Sequence, residues 1–347
     1  MIEDSRDRGG PRQPMLAVSG LKKYFPIRNG LGAVTANVQA VDGLDFTIAK
    51  GETLGVVGES GCGKSTTARL LMHLIEPDAG ELVLDGDQVG AGGVSVRELR
   101  RQVQMVFQDS YSSLNPRHTA AAEITFGLRT IGRSRAEAQD MARQTLRLVG
   151  LDPEIFAGRY PHEMSGGQRQ RVNIARGVAL NPRLLILDEA VSALDKSVQA
   201  QVLNLLQDLK RRLNLTYLFI SHDLNVVHYI SDRVMVMYLG KIVEIGPVDT
   251  LWRQAAHPYT RALFSSRLSH SPADRVTAPP LTGDPPNPVN PPSGCRFRTR
   301  CTLAEPVCST VEPPLLPWAG DPAHAAACLA GQPGSGHSLT GGLAHAA

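Results

Sequence analysis

Gly58-Glu59-Ser60-Gly61-Cys62-Gly63-Lys64-Ser65 decides how this chain is read. It follows the apolar, β-branched run Thr53–Val57 and leads into an apolar helical pattern that continues to Leu74. This is Gly-x-x-x-x-Gly-Lys-Ser in the strand–loop–helix setting that gives the pattern its meaning. Glycines let the backbone wrap tightly, so successive N–H groups face inward toward anionic oxygens. The helix starting near Lys64 adds the positive end of its dipole. Gly58, Ser60, Gly61, Cys62 and Gly63 are expected to line a phosphate cradle. Lys64 is expected to reach the β/γ-phosphates and Ser65 to ligate Mg²⁺, with Thr66 beside it.

Working outward, short apolar runs alternate with helical patterns from Leu16 onward, as in an α/β domain with a mainly parallel sheet. Strands are expected at Phe46–Ile48, Thr53–Val57, Leu82–Leu84, Val103–Phe107, Leu184–Leu187, Tyr217–Ile220 and Val234–Tyr238. Strand signals vanish between Ala120 and Leu180, where patterns such as Ala136–Val149 and Gln168–Leu180 predict a helical insertion at about 115–180. The run Leu184–Leu187 delivers Asp188 and Glu189 to the strand's C-terminal end, the edge where open α/β sheets collect ligands. Asp188 is suited to hold Mg²⁺ and Glu189 to polarise an attacking water.

The bulk numbers are those of a globular chain: 42% hydrophobic, 20% charged, net charge +3. So mild a balance, without a basic stripe, argues against a nucleic-acid binder. No apolar run approaches the roughly 20 residues needed to span a bilayer. The segment up to Pro14 lacks an apolar signal core, so the expected location is cytoplasmic. Residues 1–15 and 331–347 are expected to be disordered tails. Prolines crowd between Pro279 and Pro292 and lead to Cys295, Cys301, Cys308 and Cys328 within a 251–330 module. Four close cysteines in a reducing compartment suit a metal better than disulfides. A [4Fe–4S] cluster, zinc, and unligated structural thiols all remain open from spacing alone.

Met164-Ser165-Gly166-Gly167-Gln168, followed by Arg169-Gln170-Arg171, resembles the signature loop of the ABC ATPases. The resemblance covers about residues 16–250. It implies a P-loop NTPase (RecA-like) α/β core with a helical insertion subdomain, an N-terminal antiparallel β region and a small C-terminal module. It implies that Ser165, Gly166, Gly167 and Gln168 contact the γ-phosphate held by an opposing ATPase subunit, in a head-to-tail dimer. It makes Gln108 the Q-loop residue that also touches Mg²⁺, Asp195 the D-loop residue and His222 the switch histidine. Phe25, with Tyr24 as competitor, becomes the ring that stacks on adenine.

Ser112-Ser113-Leu114-Asn115-Pro116-Arg117, His257-Pro258-Tyr259-Thr260 and the cysteine tail resemble the oligopeptide/dipeptide importer branch, in which some members are believed to hold a [4Fe–4S] cluster. That branch implies a homologous second ATPase rather than a second copy, two transmembrane permeases and an extracytoplasmic substrate-binding protein. The ATPase would sit on the cytoplasmic face of the inner membrane and drive di- or oligopeptide uptake. Nickel or glutathione import is the alternative within the branch, and a soluble ABC ATPase outside transport the alternative beyond it. Lys196, after the D-loop, departs from the small apolar residue common there.

Overall fold

The computed structural model describes residues 10, 13–90, 92–109, 111–265 and 283–339. The described chain forms two compact units, neither continuous in sequence. One takes the chain up to Ala17, Thr47–Thr53 and Leu82–Ser221; the other takes Val18–Phe46, Leu54–Glu81 and His222 onward. The cysteine-bearing segment folds in the same unit as the Gly58–Ser65 loop.

In the first unit, strands Val103–Val106, Leu184–Asp188 and Thr216–Ile220 run parallel, with Val103 opposite Leu184 and Asp188 opposite Ile220. Every residue of the last two strands is buried. A strand covered on both faces reads as a continuous apolar run, which is why these were visible in sequence. Helices Ala120–Thr130, Arg135–Leu148 and Gly166–Val178 occupy the stretch without strand signals. Arg135–Leu148 opens with a capping box, in which Ser134 and Glu137 satisfy each other's backbone N–H groups. It buries Ala138, Ala142, Thr145 and Leu146, the spacing of one helical face.

In the second unit, Leu54–Val57 pairs in parallel with the start of the strand Arg233–Tyr238, Leu54 opposite Arg233 and Val57 opposite Val236. That strand then turns back on Lys241–Pro247, with Tyr238 opposite Lys241. The two residues between, Leu239 and Gly240, both have positive φ, 44° and 79°. A two-residue hairpin needs such a pair to match the twist of its strands. Asp321–Ala326 adds antiparallel to Lys241–Pro247, and Leu316–Trp318 adds to its far side. These late strands were not anticipated, because prolines and alanines carry little strand signal.

The expected tails fall largely at residues outside those described. Where they are described they are not loose. Met15 is buried and its N–H donates to Ile48 O at 2.8 Å. Gln332 and His337 are buried, and His337 Nε2 lies 2.9 Å from Leu303 O. Burial of these polar groups is matched by partners. Among the described residues no helix is long and apolar enough to cross a membrane.

Candidate nucleotide site

The phosphate loop leaves the buried strand Thr53–Val57 with three glycines in the left-handed half of backbone space: Gly58 at φ 150°, Gly61 at 80° and Gly63 at 110°. Two are required by close approach as well. A Cβ on Gly58 would lie 2.2 Å from Met237 O, and one on Gly63 2.3 Å from Ala40 O. The loop feeds the helix Lys64–Leu71, whose start has no side-chain cap. Lys64 is 7% exposed; its Nζ donates to Gly58 O at 2.7 Å and Glu59 O at 3.1 Å. Ser65 and Thr66 follow, half-buried. Cys62 is buried in the loop, and burial raises its thiol pKa.

Asp188 is buried at the end of its strand. Glu189, the next residue, has φ 49°, an uncommon conformation for a side chain of that size. It is held there by Glu189 N donating to Ile220 O at 2.9 Å and by Ser192 N and Oγ donating to Glu189 O. Its carboxylate accepts from Gln108 Nε2 at 2.9 Å. Two residues 81 positions apart, picked out by separate motifs, thus meet on one carboxylate.

Ser165 is exposed and caps the helix Gly166–Val178. Its N–H donates to Gln168 Oε1 at 2.9 Å, and Gln168 N donates to its hydroxyl at 3.4 Å. The capping box orders the Ser-Gly-Gly stretch without covering its backbone. Leu194 and Val198 pack beside it: a Cβ on Gly166 would lie 3.7 Å from Leu194, and one on Gly167 2.5 Å from Val198. Asp195 then starts the helix Lys196–Leu213. Lys196 is exposed. His222 is exposed at the end of Thr216–Ile220, just before Asp223 caps the next helix with its carboxylate.

The two aromatic candidates separate. Tyr24 Oη donates to Asp42 Oδ1 at 2.5 Å. Burial, reinforced by that bond, pushes the Tyr24 pKa up to about 12. Phe25 is 38% exposed, with Lys23 Nζ 5.8 Å from its ring centroid.

The description "ABC transporter" fits residues 41–192, and "oligopeptide/dipeptide transporter, C-terminal region" fits residues 243–308. AppF of Bacillus subtilis, an oligopeptide transport ATP-binding protein, is 48% identical over 91% of this chain and 97% of its own. The chain belongs to the ATP-binding proteins of peptide ABC transporters. A probable peptide ABC transporter ATP-binding protein, y4tS of Sinorhizobium fredii, is 53% identical over 87% of this chain and 86% of its own. DppF of Escherichia coli, a dipeptide transport ATP-binding protein, is 46% identical over 89% and 93%. Among solved structures, cbiO1 of Clostridium perfringens, part of the cbiONQ ABC transporter complex, has a TM-score of 0.59 at 25% identity, covering 69% of this chain and 90% of that one. As a member of this family the chain is a P-loop ATPase that uses ATP and Mg²⁺.

The C-terminal region of this ABC ATPase carries four cysteines. Cys295, Cys301, Cys308 and Cys328 all line one cavity, with His257, Phe297 and His337. Burial pushes the Cys295 thiol up to about 11, Cys328 to about 12, and raises Cys301 as well. Among the described residues no three Cys, His, Asp or Glu side chains converge tightly enough to hold a single metal ion.

Sequence reasoning missed what supports this region. Glu244, fully buried, accepts from Ala256 N at 2.7 Å and His257 N at 2.9 Å, and lies 2.7 Å from His324 Nε2. His257 Nδ1 accepts from Tyr259 N at 3.1 Å, and Tyr259 Oη accepts from Glu59 N at 2.9 Å. The His257–Thr260 motif, noticed only as a branch marker, thereby reaches the phosphate loop. Nothing in the sequence singled out Arg296 or Arg300 within the alternating run Arg296-Phe297-Arg298-Thr299-Arg300 between Cys295 and Cys301.

Proposed function

We propose that this chain is the ATP-hydrolysing subunit of a peptide importer, peripheral on the cytoplasmic face of the inner membrane. It works with a second, homologous ATPase, two permeases and an extracytoplasmic binding protein. ATP binding closes the ATPase pair; hydrolysis reopens it and drives alternating access in the permeases. The observation that carries the hydrolytic part is the Glu189 carboxylate, set on a constrained backbone next to Asp188 and tethered by Gln108 at 2.9 Å. A general base must be fixed within hydrogen-bond reach of the water it activates.

The residues take these roles. The loop Gly58–Ser65 and Thr66 cradle the phosphates, and Lys64 neutralises the β/γ oxygens. Ser65, Asp188 and Gln108 serve Mg²⁺. His222 senses the γ-phosphate. Phe25 stacks on adenine, since Tyr24 is committed to Asp42. Ser165, Gly166, Gly167, Gln168 and Asp195 act on nucleotide bound by the partner ATPase.

Peptide import, as against nickel or glutathione, rests on the names of the relatives. Uptake of a labelled tripeptide by cells carrying Lys64→Ala in place of the native chain tests it. Loss of tripeptide uptake with nickel and glutathione uptake intact supports the reading; retained tripeptide uptake overturns it.

The cavity is part of the same proposal. Cys295, Cys301, Cys308 and Cys328 hold a [4Fe–4S] cluster, which would supply a structural cross-link; phosphoryl transfer needs no redox step. Supporting this, all four thiols face one cavity. Anaerobically purified protein is then brown, with iron and sulfide each near about four per chain. Colourless protein with one zinc per chain would replace cluster by zinc, and metal-free folded protein would remove both.

A further inference from the structure

The cysteine-bearing segment sends two buried arginines away from its thiols. Arg296, next to Cys295, donates to Gln39 Oε1 at 2.7 Å, to Leu239 O and to the Asp42 carboxylate that also receives Tyr24. Arg300, next to Cys301, reaches the phosphate loop. Its Nη1 donates to Glu59 Oε2 at 2.7 Å and its Nη2 to Glu59 Oε1 at 3.0 Å. The Arg300 side chain is 5% exposed and that of Glu59 23%, so solvent screens this pair less than an ordinary surface ion pair. A two-pronged guanidinium–carboxylate contact fixes direction as well as distance.

Glu59 is held on every polar group. Its carboxylate is held by Arg300 and its N–H by Tyr259 Oη at 2.9 Å. Its carbonyl accepts from Lys64 Nζ at 3.1 Å and Cys62 N at 3.2 Å. Arg300 is equally constrained by the thiol segment. Arg298 N donates to Cys295 O at 3.1 Å, Arg300 N to Phe297 O at 3.0 Å, and Cys295 N to Cys308 O at 2.8 Å. The short turn Arg298–Arg300 is therefore a stiff link from the cavity wall to Glu59.

We propose that Arg300 is a positioning residue of the phosphate loop, and that through the Arg300–Glu59 pair the packing of the cysteine-lined cavity sets the chain's affinity for ATP. This rests on the reading of Gly58–Ser65 as the phosphate cradle. The physical basis is preorganisation: a loop whose amides are already aimed loses less freedom when phosphates arrive. Releasing Glu59 frees the carbonyl on which Lys64 rests, and the loop must be ordered at the expense of binding energy.

Equilibrium binding of a fluorescent ATP analogue with Mg²⁺ to the full-length chain tests this, together with KM and kcat of the assembled transporter. Glu59→Gln and Arg300→Gln should each weaken binding roughly tenfold. The double variant should bind no worse than either single one. KM should rise while kcat at saturating ATP stays within about twofold, since the contact serves the bound ground state and transition state alike. Arg300→Lys should recover part of the affinity. Cys301→Ser should weaken binding in the native background and add nothing in the Glu59→Gln background. Glu59→Gln is nearly isosteric and lies outside the cysteine segment, so it decides the matter even if Arg300 variants misfold. Normal binding in Glu59→Gln, additive losses in the double variant, a fall in kcat at unchanged KM, or a Cys301→Ser effect that persists without Glu59 would each overturn the proposal. Lys64→Ala separates the two levels. If it binds ATP normally, the cradle reading itself fails; if it loses ATP while the Glu59 and Arg300 variants bind normally, only the coupling fails.

Discussion

Single side chains divide the labour cleanly enough to be tested one at a time. Tyr24 and Phe25 are neighbours in sequence with different commitments. Tyr24 spends its hydroxyl on Asp42, whereas Phe25 keeps an exposed ring. Phe25→Ala should therefore weaken ATP binding by about tenfold, the low end of what base–aromatic stacking contributes. Tyr24→Phe should leave ATP affinity near native and lower stability by about 1.5–3 kcal/mol, the worth of a hydrogen bond to a charged acceptor. Equilibrium titration and denaturant unfolding of the two variants check both halves. At Ser165 the direction is different. Its hydroxyl and N–H are engaged within its own helix cap, and the residue is exposed. Ser165→Arg should spare ATP binding by the isolated chain and abolish hydrolysis in the assembled pair. A loss of monomer affinity equal to that of Lys64→Ala would contradict a role in trans.

At the scale of elements, the segment before the helix Ala120–Thr130 is built to present a turn. Asn115 Oδ1 accepts from Arg117 N at 3.0 Å, Asn115 N donates to Glu123 Oε1 at 2.8 Å, and Arg176 binds Ser113 O and Glu123 Oε2. Leu114 is buried beneath, while Arg117, Tyr111 and Phe126 stay exposed. Asn115 thus shapes the turn, with Arg117 exposed beside it. Exposed aromatics next to a fixed turn are what a protein-docking surface needs. Cysteines introduced at 113 and 117 should cross-link to permease cytoplasmic loops in an active complex, and absence of any cross-link there would refute the docking role. The elements also show where sequence reading worked. Leu184–Asp188 and Thr216–Ile220 were legible because both faces are buried. Lys241–Pro247 was not, because Glu244 interrupts its apolar pattern and is buried only by virtue of partners from residues 256, 257 and 324. No local pattern reports a carboxylate satisfied from so far along the chain.

For the molecule as a whole, the buried Glu244–His257–Tyr259 chain makes stability depend on pH. Burial pulls the His257 pKa from 6.5 down to about 4, against the opposing charge of Glu244. Between those values the unfolded chain binds a proton that the folded chain does not. The contribution of neutral His257 is thus fully present above about pH 6.5 and is lost as pH falls toward 4, by on the order of 3 kcal/mol at most. His257→Asn, which keeps an acceptor for Tyr259 N, should flatten the stability profile in that window when unfolding is followed from pH 7 to 4; an unchanged slope would assign the acid sensitivity elsewhere. The candidate site motifs stand out in the sequence because each needs a local backbone shape: glycines at Gly58 and Gly63 where a Cβ would strike a carbonyl, a cap at Ser165. What holds those motifs was not readable. Arg300 and Glu59 are 241 positions apart, and no local pattern links them. Glu189 is the position at which hydrolysis is decided in this proposal. In the assembled complex at saturating MgATP, Glu189→Gln should bind ATP as tightly as the native chain while steady-state hydrolysis falls by about 10²–10⁴-fold, the contribution of a positioned general base; hydrolysis within a few-fold of the native rate would contradict it.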